Sequence, residues 1–238
     1  MFWNLSRLKN MHQDMDGVLV IDKPAGPTSH DVVAIVKRIA RARKVGHLGT
    51  LDPAASGVLP LVINKATKFA SELAQGGKLY EFTLCLGQLT DTDDDAGAVL
   101  TSREVSPSLE KTLPGILGEF IGSIMQRPPL FSAKKLGGRR ACDLARKGVT
   151  FSLEPRPVLI ESLELTGGEW PRPRLRMACG PGTYVRSICR DIAERLGVPG
   201  HASGIRRLKS GPYIIDDSVS LDLLAAEPEL WRERIIPL

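Results

Sequence analysis

VGHLGTLDPAASGVLPLVIN, Val45 to Asn64, places a glycine-rich loop directly before an apolar run. The run, VLPLVIN, is short, continuous and bounded by polar residues, which is the pattern of a strand buried on both faces. The part before it, Val45 to Gly57, is a loop by composition. Gly46, Gly49 and Gly57 let its backbone turn sharply and approach a ligand closely. Asp52 lies between them, and the following Pro53 drives its backbone away from helix toward extended conformations. A carboxylate fixed on a loop between two ordered elements suits catalysis, although an Asp before Pro is by itself more often a turn former.

Upstream of this stretch, GVLVID (Gly17 to Asp22) reads as a short buried strand, and Pro24, Gly26 and Pro27 punctuate a turn. Thr28 with Asp31 forms a capping box for a helix whose apolar face is Val32, Val33, Val36, Ile39 and Ala40. Downstream, ATKFASELA is helix-like. Leu79 to Leu86 alternates as a strand, with Tyr80, Phe82, Leu84 and Leu86 on one face. DTDDDAG is a polar turn. A helix near Leu109 to Leu113 is followed by strands at Glu119 to Met125, Val158 to Leu165 and Arg174 to Cys179. Val185, Ile188, Ile192 and Leu196 then recur at helical spacing, and the chain closes with a basic strand, GIRRLKS, and a short helix near Leu221. Strands and helices interleave irregularly, with neither repeat nor linker, which favours one α+β domain.

The stretch Arg127 to Lys147 differs from the rest. It holds seven Lys or Arg against one acid, with Pro-Pro and Gly-Gly pairs, so it is expected to be an exposed, mobile, basic insertion. The whole chain of 238 residues has a formal net charge of +5, which fits a polyanionic partner without requiring one.

Cys85, Cys142, Cys179 and Cys189 show no C-x-x-C spacing, so neither a zinc site nor a redox dithiol is expected, and reduced thiols fit the cytoplasm. No apolar run approaches the roughly 18 residues of a membrane span. The first 15 residues lack a signal peptide's apolar segment and read as a loose leader. Ser29-His30-Asp31 mimics a hydrolase triad, but consecutive residues at a helix start cannot converge. Asp91, Asp93 and Asp95 mimic a calcium loop, but Ala96 and Ser102 stand where its glycine and glutamate belong, leaving a solvated turn. Four histidines without an i, i+4 pair, and the absence of GxGxxG or a Walker loop, point to no metal and no nucleotide cofactor.

Several segments together resemble the TruB family of pseudouridine synthases: DKPAGPTSHDVV (Asp22 to Val33), GHLGTLDPAASGVLP (Gly46 to Pro60), ATKF (Ala66 to Phe69), KLYEFTLCLGQLTDTDDDAG (Lys78 to Gly97), QRPPLFSAKKLGG (Gln126 to Gly138), GTYVRSICRDIAERLG (Gly182 to Gly197) and GIRRLKSG (Gly204 to Gly211). Their order and spacing agree over residues 16 to 220. The resemblance implies the pseudouridine synthase fold, a mixed and mainly antiparallel central sheet flanked by helices. It also implies isomerisation of the T-loop uridine, position 55 of tRNA, by a catalytic domain at 16–220 with a mobile RNA-binding insertion at 127–149.

Carried over by position, Asp52 matches the catalytic aspartate, Tyr80 the tyrosine that stacks on the target base, and Arg186 the arginine that pairs with the aspartate. His47 matches the histidine that enters the T-loop, Tyr184 and Leu208 line the base pocket, and Lys23 with Pro24 gives structural support. By pattern alone Tyr80 and Leu208 read as core residues and Arg186 as a solvated charge.

The chemistry asks for these residue types. A uridine inside a folded loop must be flipped out before its atoms can react. A flipped base needs an aromatic face and an apolar floor, which Tyr80 and Leu208 supply. An aspartate, with an ordinary pKa of about 3.9, is ionised at neutral pH and can add to base or sugar or take a proton. No group is transferred and no redox change occurs, so no cofactor is expected.

The insertion is expected to order on tRNA with Lys135, Arg139, Arg140 and Arg146 near phosphates. Cys142 stands where relatives commonly have tyrosine. After residue 220 only a short segment to Leu238 follows, with no PUA domain expected, so contacts outside the T-arm should be few and an isolated T-arm hairpin should compete well with full tRNA. A monomer without protein partners is expected. The competing reading is a tRNA-folding chaperone acting on the T-arm; guide-RNA-dependent relatives, a third possibility, normally carry a PUA domain.

Overall fold

The computed structural model describes residues 15–132, 135, 136, 138–149 and 151–238, without the side chains of 135, 136, 140, 142 and 146. In chain order the elements are β1 (Gly17–Lys23), α1 (Ser29–Ile39), β2 (Val45–His47), β3 (Ser56–Ile63), α2 (Ala70–Leu73), β4 (Lys78–Leu86), β5 (Gln88–Thr90), β6 (Val99–Ser102), α3 (Leu113–Glu119) and β7 (Gly122–Gln126). There follow β8 (Lys135–Leu136), β9 (Arg139–Arg140), α4 (Ala141–Arg146), β10 (Arg156–Glu169), β11 (Arg172–Cys179), α5 (Val185–Arg195), β12 (Gly200–Ser210), β13 (Tyr213–Ile214), β14 (Val219–Ser220), α6 (Leu221–Ala226) and α7 (Trp231–Arg234). These elements form two compact units, residues up to Lys78 with Arg206–Leu238, and Leu79–Ile205. Both boundaries fall inside strands, β4 and β12, so no linker composition marks them.

In the first unit β1 and β3 pair antiparallel from Gly17↔Ile63 to Lys23↔Gly57. β14 joins β1 in parallel, β2 joins β3 antiparallel, and Arg206 and Arg207 of β12 run parallel to Ser56 and Gly57 of β3. Both faces of the β1–β3 pair are buried, which is why neither strand alternates in sequence. Val18, Val20, Val58 and Val62 pack with Leu48, Ala66 and Tyr213 in one cluster. The capping box forms as expected: Thr28 Oγ1 accepts from the Asp31 amide at 3.1 Å, and the Asp31 carboxylate accepts from the Thr28 amide at 2.8 Å. It starts α1, whose Val32, Val33 and Val36 are buried.

In the second unit the strand order is β4-β11-β10-β7. β10 and β11 form a long antiparallel hairpin, and β7 pairs antiparallel with the outer side of β10. β4 buries Tyr80, Phe82, Leu84 and Leu86, as its alternation requires. α5 buries Val185, Ile188 and Ile192 at the expected spacing. The fold is thus α+β, on mixed and mainly antiparallel strand pairing with helices against it.

Three local expectations are corrected. The segment near Leu109 is a 3₁₀ turn (Pro107–Lys111), and the helix begins only at Leu113, where Pro114 suits a first turn that needs no amide donor there. The next strand starts at Gly122 because that helix runs through Glu119. ATKFASELA opens as 3₁₀ structure over Asn64–Phe69, leaving only Ala70–Leu73 α-helical. The basic insertion carries structure of its own, a β8–β9 hairpin and helix α4 with Ala141 fully buried. Residues 1–14, most of the proposed leader, lie outside the described residues.

Candidate active site

The expected site residues fall into two groups, one in each unit. Lys23, His47, Asp52 and Leu208 belong to the first, Tyr80, Tyr184 and Arg186 to the second.

In the first unit the loop after β2 is held mostly by its backbone. Leu48 and Leu51 are buried anchors, and the Leu48 amide donates to the Pro60 carbonyl at 2.9 Å. Ser29 Oγ both accepts from the Leu51 amide and donates to the Leu51 carbonyl, each at 2.9 Å. This serine of the false triad is therefore a clamp on the loop, while His30 beside it is exposed. The Gly26 amide donates to the Pro53 carbonyl at 2.8 Å, and the Ala55 amide closes a turn on the Asp52 carbonyl at 3.1 Å.

Two buried cations complete the clamp. The Lys23 ammonium, at 0% exposure, donates to the carbonyls of Pro24 (2.8 Å), Pro53 (3.2 Å) and Ala55 (2.7 Å). The Arg207 guanidinium, at 1% exposure, donates to Val58 (2.8 Å), Gly49 (3.1 Å) and Thr50 (3.5 Å) carbonyls. Gly57 has φ +101°, and a Cβ there would collide with the Arg207 backbone. Burial lowers the Lys23 pKa to about 8; the nearby Asp52 charge opposes that shift and Arg207 adds to it. The Asp52 carboxylate, half-buried at the loop tip, therefore sits in a positive field. Burial, then Arg207 and His30, lower the pKa of half-buried His47, which keeps its ring neutral at neutral pH. Leu208 is half-buried on β12.

In the second unit Tyr80 lies on β4 and is 6% exposed. Tyr184 is the N-cap of α5, and its backbone is gripped by the fully buried Gln126: the Tyr184 amide donates to Oε1 at 2.9 Å and Nε2 donates to the Tyr184 carbonyl at 3.1 Å. Arg156, paired across the strands with Gln126, covers the Tyr184 ring at 5.3 Å and donates to the Gly182 carbonyl at 2.8 Å. Arg186, two residues further into α5, is 3% exposed. Its Nη1 donates to the Thr92 carbonyl (2.7 Å), its Nη2 to the Phe131 carbonyl (2.9 Å), and its Nε stands 3.6 Å from the Asp94 carboxylate.

The DTDDDAG segment is consequently not a solvated turn. Asp93 and Asp94 are 8% and 7% exposed, with Asp93 bonded to Arg190 at 2.9 Å. Burial raises the Asp93 pKa while Arg190 opposes it. Sequence reading missed Arg207, Asp94 and Gln126. For Arg207 a signal existed, since period two from buried Ile205 points it inward. Of the insertion's expected phosphate ligands, Arg139 is exposed, while the side chains of Lys135, Arg140 and Arg146, like that of Cys142, lie outside the described residues.

The TruB family pseudouridylate synthase N-terminal domain matches residues 37–185, and the tRNA pseudouridylate synthase B C-terminal domain matches residues 186–237. The chain is 47% identical over 227 residues to tRNA pseudouridine synthase B of Solibacter usitatus, covering 94% of this chain and 77% of that one. Against the same-named protein of Paracoccus denitrificans it is 45% identical over 210 residues, covering 88% and 70%. Among solved structures, a chain of a Cbf5-Nop10-Gar1 complex superposes with a TM-score of 0.72 at 34% identity; the match covers 94% of this chain and just over half, 57%, of that one. Family matches that run consecutively from residue 37 to residue 237, together with these identities, show that the chain belongs to the TruB family of pseudouridylate synthases.

Proposed function

We propose that this chain converts the T-loop uridine of tRNA, position 55, to pseudouridine, with Asp52 as the catalytic carboxylate. The observation that carries this reading is the Asp52 loop, held at Pro53 and Ala55 by one buried cation and at Gly49 and Thr50 by another. A carboxylate so placed keeps its charge and direction when a substrate displaces water. That family and the names of its relatives support tRNA as the substrate.

In this reading the T-loop opens around His47 and the uridine flips out onto the Tyr80 ring, with Leu208 and Tyr184 lining its pocket. The N1–C1′ bond breaks with Asp52 engaged on base or sugar, the uracil turns, and C5 bonds to C1′. The proton on C5 then passes to Tyr80 as the base, N1 takes up a proton in its place, and Asp52 is released. Arg186 pairs with Asp52 and holds its orientation. No electron is gained or lost and no cofactor enters. Arg139 and its neighbouring cations close on phosphates. The protein works as a monomer in the cytoplasm; among the described residues no helix is long and apolar enough to cross a membrane.

Tritium release from tRNA labelled at C5 of uridine tests this. Wild type should release one equivalent, and Asp52→Asn none while still binding tRNA. Bound tRNA without release by wild type would favour the chaperone reading.

A further inference from the structure

A second cluster of chemistry-bearing side chains lies in the Leu79–Ile205 unit, outside the residues used above. Cys85 comes from β4, Asp95 from the turn between β5 and β6, and His201 from the start of β12. One ligand-capable atom of each lies within 4.8 Å of the other two. His201 Nδ1 meets the Gln88 carbonyl at 2.8 Å. A carbonyl only accepts, so Nδ1 carries the hydrogen; Cys85, Gln88 and Asp95 raise the His201 pKa, so in the metal-free site Nε2 is protonated too, and release of that proton frees its lone pair. That Nε2 stands 3.2 Å from the Asp95 carboxylate. Cys85 and His201 are buried at 2% and 5% exposure, whereas the Asp95 side chain is 49% exposed and leaves a way in from solvent.

We propose that Cys85, Asp95 and His201 bind one Zn²⁺ ion, with a fourth position open to water. Zinc takes thiolate sulfur at about 2.3 Å, imidazole nitrogen at about 2.0–2.1 Å and carboxylate oxygen at about 2.0–2.2 Å, in a tetrahedron. Those lengths and that angle put nitrogen and oxygen roughly 3.3–3.5 Å apart, close to the separation found between His201 and Asp95. The Gln88 carbonyl on Nδ1 is the outer partner that a metal-bound histidine ordinarily has, fixing both tautomer and ring direction. Binding displaces the thiol proton of Cys85, and any proton held on Nε2, to solvent. The three ligands come from separate elements, so no motif spacing joins them in the sequence.

The ion would act as a clamp. The turn that carries Asp95 also carries Asp93 and Asp94, the partners of Arg190 and Arg186, and it already meets β12 through the Asp94↔Ala202 bridge and the Ala202 amide, which donates to the Asp93 carbonyl at 3.0 Å. Zinc would fasten this turn to β4 and β12 and steady both carboxylates.

The test uses full-length protein stripped with a chelator and titrated with Co²⁺ alone, then with competing Zn²⁺. Expected are one Co²⁺ per chain, a near-ultraviolet thiolate-to-cobalt band that Zn²⁺ removes, and loss of that band in Cys85→Ser. Asp95→Ala, at an exposed position that should leave folding intact, should weaken Zn²⁺ binding roughly tenfold or more. At the same Zn²⁺ concentration the thermal midpoint of wild type should rise more than that of Asp95→Ala. The proposal is overturned by absence of the band, by its persistence in Cys85→Ser, or by equal Zn²⁺ affinity in Asp95→Ala and wild type.

Discussion

The Arg186 guanidinium stands 3.6 Å from the Asp94 carboxylate, and neither side chain is more than a tenth exposed. The carboxylate is itself fixed, accepting from Thr92 Oγ1 at 2.6 Å and from the Ala96 amide at 3.1 Å. Nη1 and Nη2 of Arg186 donate to carbonyls, and Asp94 stands beside Nε as an anionic neighbour that aims the guanidinium as a positioning residue. Asp94→Asn keeps the shape and removes the charge. The expected loss is about 1–3 kcal/mol of transition-state stabilisation, or roughly 10–100-fold in single-turnover rate. Affinity for tRNA should change little, since Asp94 is buried. A rate equal to wild type would detach Asp94 from the chemistry.

Lys23 gives the Asp52 loop a pH dependence whose sign is fixed. Its pKa falls from 10.5 to about 8 in the folded chain, first through burial. Between those values the folded state binds fewer protons than the unfolded chain, so the Lys23 contribution to stability rises with pH across that window. Below the lower value the cost of burying the charge is felt in full. Activity should run the other way, because deprotonation removes the cation that faces Asp52. Pseudouridine formation by wild type should show an alkaline limb near that lower value. Urea unfolding at pH values spanning the window should show wild type gaining stability relative to Lys23→Met. Parallel pH profiles for the two proteins would refute the assignment.

What the sequence revealed and what it hid divide along a physical line. Contacts between near neighbours were legible: the Thr28–Asp31 cap, the Tyr80–Phe82–Leu84–Leu86 face and the α5 stripe each follow from local geometry. Buried charge was not. Arg207 is inside because carbonyls of Gly49, Thr50 and Val58, distant in sequence, converge on it. Asp93 and Asp94 read as a solvated turn because their partners, Arg190 and Arg186, lie nearly a hundred residues away in α5. Asp52 could be picked out by resemblance, but its setting between Lys23 and Arg207 could not be derived from local pattern.

Gly57 is where the loop and its arginine meet most closely. Gly57→Ala would strain a backbone at φ +101° and drive a methyl into the Arg207 backbone, costing roughly 1–3 kcal/mol or more. Arg207→Lys should also be poorly tolerated, because an ammonium cannot reproduce a fork spread over three carbonyls. Both variants should lower the denaturation midpoint and the rate together. Gly46→Ala meets only the Val62 side chain at 3.4 Å, an ordinary contact, and should leave both nearly unchanged. Equal midpoints for the alanine variants at 46 and 57 would remove the case for a steric lock.

Gln126 and Arg156 face each other across β7 and β10, and both hold the segment before α5. Gln126 grips the Tyr184 backbone from both sides, and Arg156 covers its ring. Gln126→Leu fills the same space but leaves the part-buried Tyr184 amide without this partner, at about 1–3 kcal/mol, while the Tyr184 carbonyl keeps the Ile188 amide. Because Tyr184 caps the helix that carries Arg186, the single-turnover rate should fall with the loss of stability. Arg156→Met separates the two supports, since it removes the cation over the ring and its bond to the Gly182 carbonyl but leaves the Gln126 clamp on Tyr184 intact. If the Tyr184 ring packs against the flipped base, Arg156→Met should weaken saturation by a T-arm hairpin while the thermal midpoint moves by a few degrees at most. A hairpin affinity unchanged by Arg156→Met, beside a lowered rate in Gln126→Leu, would assign Tyr184 to the helix start alone.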